Sequence, residues 1–540
     1  MGINLLNNTA VQELRVVAGS TINSGDLVVN SEAGFAYPYN NSLTLAQNNN
    51  SVGLSAISPV SALISGTYGV SVSSFPSTII ELDNGTIVTA YSGNGTTAST
   101  NLNLSFRSLI GGVPVTPIVI SDTSINHYEL RKINSTSFVV VWSGASNTLK
   151  FAIYSNTGSV IKATTTIHTG TSAITSFYCN TVCLSNGNIV VAFATGTGLA
   201  NVNYIVYDSI GNVVLGSTSV ATAQNPYNIV VLPQASTGGF IVYYFASGIP
   251  AWRFARYDSA GVLQGSVTSI AGATNGLSGA ITDNIAIELA NGNIVFQGGN
   301  SSSYVVFNIY SSTGTLITSA VNVTNNSPTF SFTNVVASIC ATQTGFAAIT
   351  FGATGVTLGT AHYSLFDFSG NFLITRRATT ISLVSVTSSI GCRLLSNGNS
   401  GFTVYVTYTV SGCTTVYPLY IWTVDTFFVS KSVIIVLSYG NATLPSTHSV
   451  IITSDGSLVF SYLLGSSSIQ SGSYAIIRKS VLGVAQQAAT INQTFRVSTQ
   501  GTHNINQNVT FGGSFDQRTA NVPGTRGTIV GTSAILYGFS

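Results

Sequence analysis

Fifteen acidic side chains, five histidines and five cysteines carry most of the capacity for proton transfer or metal binding in this chain of 540 residues. Glycoside cleavage needs two carboxyl groups held at a defined separation. Glu81, Glu129 and Glu288 each stand just before a recurrent turn, and Asp83 and Asp455 stand inside such turns. Asp208, Asp258 and Asp367 occupy a second recurrent turn phrase. Carboxylates placed alike in successive units read as turn caps and repeat decoration, since a catalytic pair breaks a repeat rather than following it. His127, His168, His362, His448 and His503 are scattered. No His-Glu-x-x-His, Gly-x-Ser-x-Gly, phosphate-loop or calcium-loop pattern occurs. Cys179 and Cys183 have a metal-like gap but no second pair at ligand spacing, so with Cys340, Cys392 and Cys413 they read as buried strand thiols. Trp142 follows an apolar strand and reads as core; Trp252 enters a strand from the loop Gly248-Ile249-Pro250. An exposed indole there would stack on a sugar, whereas a buried one would fill the core. The expectation is a chain with no catalytic residue, no metal and no cofactor, and the ligand-binding residues are not legible at this level.

The elements that position these groups come from a repeat. Leu82-Asp83-Asn84-Gly85-Thr86-Ile87-Val88 returns as Leu184-Ser185-Asn186-Gly187-Asn188-Ile189-Val190 and as Leu289-Ala290-Asn291-Gly292-Asn293-Ile294-Val295. Weaker copies centre on Gly239, Gly345, Gly398 and Gly456, and a copy without glycine lies at Asn134-Ser135-Thr136-Ser137-Phe138. The period is about 51 to 53 residues, lengthening at the last step, which is the range of propeller blades. Asn-Gly between apolar runs predicts a hairpin with a type I′ turn. A second phrase, as in Tyr207-Asp208-Ser209-Ile210-Gly211 and Tyr257-Asp258-Ser259-Ala260-Gly261, predicts another hairpin in each unit, with the Asp side chain capping the turn. Two hairpins make four strands. The sequence therefore predicts an all-β fold: a β-propeller of about eight four-stranded blades over residues 69–490, with seven as the alternative count.

Charged residues are 6% of the chain, against about 25% in an average domain. A net charge of +2 without clustered Lys and Arg excludes a nucleic-acid role. Met1-Gly2-Ile3-Asn4 opens neither a basic segment nor an apolar core, so no secretory leader is expected, and no apolar run is long enough to span a membrane as a helix. Residues 1–68 and 491–540 break the repeat and read as β-rich modules for attachment and assembly.

Ala18-Gly19-Ser20-Thr21-Ile22-Asn23-Ser24-Gly25-Asp26-Leu27-Val28, followed by Gly34-Phe35-Ala36-Tyr37-Pro38, resembles the opening of tailed-bacteriophage virion proteins such as tail fibres and head-decoration proteins. The terminal Gly527-Thr528-Ile529-Val530-Gly531-Thr532-Ser533-Ala534-Ile535-Leu536-Tyr537-Gly538 resembles the ends of the same kind of protein. About 30 residues at each end carry the likeness, and the middle resembles propellers in general. The resemblance implies a non-enzymatic tail fibre or receptor-binding protein in a virion, made in the host cytoplasm. Its partners would be other virion proteins, further copies of itself as a homo-oligomer, and a host surface glycan or protein. A capsid-decorating or neck protein without a receptor, and a bacterial glycan-binding lectin, are the alternatives.

Overall fold

A computed structural model describes the strands between Glu13 and Phe539 and most side chains between residues 78 and 375; residues 1–12, 39–53, 440–449 and 516–524 and most connections at one end of the strands fall outside the described set. Eight successive sheets of at least four antiparallel strands form a β-propeller. The blades span residues 78–120, 128–169, 179–221, 226–269, 286–322, 336–380, 386–439 and 450–478. The strands within each of these ranges lie in chain order from the inside outward. The innermost strand of blade eight, Val450–Ile452, contacts that of blade one, Thr78–Glu81, and so completes the ring. Among the described residues no helix is long and apolar enough to cross a membrane.

The core lies between blades. The second strand of blade three, Ile189–Ala194, is buried along its whole length. Alternate side chains of a strand point to opposite faces. Ile189, Val191 and Phe193 thus pack with Val139, Val141 and Phe151 of blade two, while Val190, Ala192 and Ala194 pack with Phe240, Val242 and Tyr244 of blade four. Both faces need apolar side chains, so these strands read as unbroken Val, Ile and Phe runs.

The anchor turn differs from the expected type I′ form. The Gly85 N–H donates to Leu82 O at 2.8 Å and the Leu82 N–H to Thr86 O at 2.8 Å. Asn84 is absent from the left-handed region, and only Gly85 has positive φ, at 74°. That is a type I turn closed by a glycine bulge, the three-residue hairpin. Asn84 Oδ1 instead accepts the Thr86 N–H at 3.1 Å, as Asn186 Oδ1 does from Asn188 and Asn291 Oδ1 from Asn293. The equivalent turns at Gly398 and Gly456 lie outside the described residues.

The ends of the chain are divided between two structures. Glu13–Ala18, Leu27–Asn30 and Phe35–Pro38 close a five-stranded barrel with Val481–Ala485 and Thr494–Ser498. Leu54–Ala56, in contrast, adds a fifth strand to blade seven, and Ala62–Ser71 supplies the outermost strand of blade eight. The expected boundary at residue 68 therefore cuts through a propeller strand, and the boundary at 490 through the barrel. Gln500–Phe515 and Thr525–Phe539 pair with each other as a two-stranded sheet.

Candidate functional site

In blades one to seven the first-to-second and third-to-fourth strand turns leave the ring at one end, because the first four strands of each are antiparallel and in chain order. The third strand of blade eight ends there at Arg478, opposite Ala62, where its N-terminal partner strand begins. The barrel strands resume at Val481, so the barrel is joined to the turn-bearing end. The second-to-third and fourth-to-first connections emerge at the other end.

Neighbouring inner strands are laced by side chains placed three or four residues before the ends of those strands. Thr78 Oγ1 accepts the Leu130 N–H of blade two at 3.5 Å. Glu129 accepts the Thr181 N–H at 2.7 Å and Asn180 Nδ2 at 3.0 Å. Asn180 Oδ1 accepts the Val231 N–H at 2.8 Å, and Ser338 Oγ the Leu394 N–H at 3.0 Å. At these four seams one blade thus satisfies a backbone donor of the next, which a buried strand edge requires.

Glu129 is 8% exposed. Desolvation pushes its carboxyl upward, but the Arg131 guanidinium, the His127 imidazole and the Thr181 N–H together hold it below the ordinary carboxylate value. Arg131 Nη2 and His127 Nε2 each stand 3.5 Å from it, and Arg131 Nε donates to Thr181 O at 2.7 Å. The carboxylate is thereby a seam component between blades two and three. The neighbouring Cys179 thiol is pushed well up by burial and by the charge of Glu129, and burial pushes that of Cys183 to about 12. Neither is a thiolate nucleophile at neutral pH.

Asp83, Asp208, Asp258, Asp367 and Glu288 also have assigned partners. Asp208 Oδ1 accepts the Ile210 and Asn212 N–H groups at 3.0 and 2.8 Å. Slight desolvation raises its carboxyl, and the bonds from Asn212 and Ile210 outweigh it, so the net direction is downward. Asp258 and Asp367 cap their turns in the same way. Asp83 is bridged by Lys132. Glu288 accepts the Ala235 N–H, the Ser236 N–H at 3.1 Å and the Ser236 hydroxyl. Glu81 and Glu288 share a register position, opposite Ile87 and Ile294, but Glu129 does not: it stands opposite Val141, three residues earlier in its strand. The expected equivalence of the three glutamates is therefore corrected. Asp455 lies outside the described residues.

Trp142 and Trp252 are both fully buried. Trp252 stacks on Tyr243 with ring centroids 4.6 Å apart, so it fills the seam between blades four and five and is unavailable for sugar stacking. Sequence reasoning missed Asp122, which accepts Trp142 Nε1 at 2.8 Å and Lys150 Nζ at 2.9 Å. It also missed Asn180. The signal was present, because Thr78, Glu129 and Asn180 recur at 51-residue steps as polar residues in apolar strands.

At the turn-bearing end a cleft of about 630 Å³ opens across blades four to seven. Ser236, Glu288, Ala290, Ala341, Thr342 and Gln343 contribute to its wall.

No family model matches the chain, and no curated protein matches it. Among solved structures, the fucose-specific lectin from Aleuria aurantia is similar at 12% identity, covering 72% of this chain and 99% of the lectin, with a TM-score of 0.32. SapL1 lectin in complex with alpha methyl fucoside is similar at 14% identity, covering 67% of this chain and 98% of that one, with a TM-score of 0.33. Prolyl oligopeptidase B from Galerina marginata is similar at 11% identity, covering 66% of this chain and 47% of the enzyme, with a TM-score of 0.38. Lectins and an enzyme stand side by side at these scores, and none of them assigns a ligand to this chain.

Proposed function

We propose that the chain is a non-catalytic recognition protein of a tailed-phage particle, which holds a rigid propeller by one end and presents the loops of the other end to a host surface glycan. The observation that carries this reading is topological. The barrel made from both ends of the chain joins the turn-bearing end of the ring, so the opposite connections are left for recognition. Loops on a fixed scaffold are the usual carriers of binding. Those connections read Gly93-Asn94-Gly95-Thr96-Thr97-Ala98-Ser99-Thr100, Asn300-Ser301-Ser302-Ser303 and Ser411-Gly412-Cys413-Thr414-Thr415. Uncharged hydroxyls and amides suit a neutral polyhydroxyl ligand, to which they donate and from which they accept.

The non-catalytic part of the reading is supported by Asp83, Asp122, Glu129, Asp208, Asp258, Glu288 and Asp367, each of which is engaged by backbone or side-chain donors in a turn or seam. The particle context is supported by the termini that resemble phage virion proteins and by the low charge. A free glycan-binding lectin is the second reading, favoured by the same uncharged loops. Two measurements separate them: glycan-array binding of the full chain, and mass spectrometry of purified phage particles. Array binding together with presence in particles is the expected result. Array binding without particle incorporation selects the free lectin, and a particle protein with no array binding removes the glycan.

A further inference from the structure

The inner strands place one residue of each blade opposite the first apolar residue of the second strand. Around the ring these residues are Glu81, Lys132, Cys183, Pro233, Glu288, Ala341, Ser396 and Ile452. Two of the charged members, Lys132 and Glu288, reach back to the turn of the preceding blade. Lys132 bridges Asp83 at the seam of blades one and two. Glu288 holds Ala235 and Ser236 at the seam of blades four and five. At the next seam both members of this pair are cut back to methyl groups, Ala341 in blade six and Ala290 in blade five, and the cleft opens there.

We propose that this cleft binds a primary alkylammonium group, seated where a lysine side chain would complete the seam. Glu288 lines the cleft, and its carboxylate is met only by neutral donors; among the described residues it has no ion-pair partner. None of the lining residues carries a positive charge, so an anion is disfavoured and a cation is attracted. The Gln343 amide, also on the cleft wall, supplies an oxygen for a further ammonium hydrogen. The volume lies within the usual range for small-ligand sites of about 300–1,000 Å³. The same chemistry comes from a free polyamine or from a lysine side chain of a protein docked on the turn-bearing end.

The full chain is titrated calorimetrically at low ionic strength with putrescine and with Nα-acetyl-lysine amide, using glucose and acetate as neutral and anionic controls. Saturable binding of at least one ammonium probe is expected, with none of either control. Glu288→Gln should weaken it by about tenfold, the scale of a charge-assisted bond reduced to a neutral one. Ala341→Trp should abolish it by filling the cleft, and it serves alone if the Glu288 variant does not fold. Binding of putrescine only assigns a free polyamine, and binding of the lysine amide assigns a lysine side chain. Absence of saturable ammonium binding, equal binding of glucose, or binding that survives Ala341→Trp in a folded protein overturns the proposal.

Discussion

Gly261 provides the sharpest test of how neighbouring blades are sealed. It closes the third-to-fourth strand turn of blade four with φ of 88°, and this turn lies on blade three. A Cβ built there would stand 2.5 Å from Leu215 Cδ2 and 3.3 Å from both Tyr204 Cε2 and Val206 Cγ2. The same turn accepts Tyr204 Oη through Gly261 O at 2.6 Å. Gly261→Ala therefore combines two costs: about 1–2 kcal/mol for a left-handed non-glycine residue and about 1–3 kcal/mol for overpacking the seam, roughly 2–5 kcal/mol together. Gly238 is the internal control. Its φ is 72°, yet nothing lies within 4 Å of its added Cβ. Gly238→Ala should therefore show only the backbone cost of about 1–2 kcal/mol. Urea unfolding of both variants and the parent, followed by far-UV dichroism and tryptophan fluorescence, gives the two losses. Equal losses would refute the seam packing, and no loss in either would refute the turn geometry as well.

Gly187→Val should lower stability by roughly 1–3 kcal/mol, because a β-branched residue resists the φ of 87° at that turn; thermal melts measure this. Glu129→Ala should cost about 3–5 kcal/mol by leaving buried donors and a guanidinium without their acceptor, read from urea midpoints. The pH dependence follows from the direction of its shift. The Glu129 carboxyl is held below its ordinary value of 4.5, so its stabilising contribution is complete above that value and is lost as pH falls through the depressed folded value. Acid unfolding of Glu129→Gln should accordingly be flatter below 4.5 than that of the parent. Truncation separates the two roles of the N-terminal segment: a chain of residues 54–480 should fold as a monomeric ring and lose particle attachment, whereas 72–480 lacks the outer strand of blade eight and should melt at a distinctly lower temperature. Size-exclusion chromatography and calorimetry check both.

The repeated Asn-Gly phrase determined the local hairpins, the four-stranded unit and its number, since turn chemistry and apolar runs are properties of neighbouring residues. Asp208, Asp258 and Asp367 were legible as caps for the same reason: their partners lie two and four residues away. The turn type was misread because Asn followed by Gly serves both hairpin classes, and the strand register chooses between them. Contacts across blades were decided by the tertiary structure. Glu129 and Thr181 lie 52 residues apart, and only ring closure turns a polar residue in an apolar strand into the acceptor of the next blade's donor. Trp252 fills a seam that exists only once blade five is in place. The division of residues 1–71 between barrel and propeller depends on which sheet edges remain free at the end of folding, and no local pattern encodes that. The cleft is legible in neither Ala290 nor Ala341 alone; it follows from their meeting across a seam.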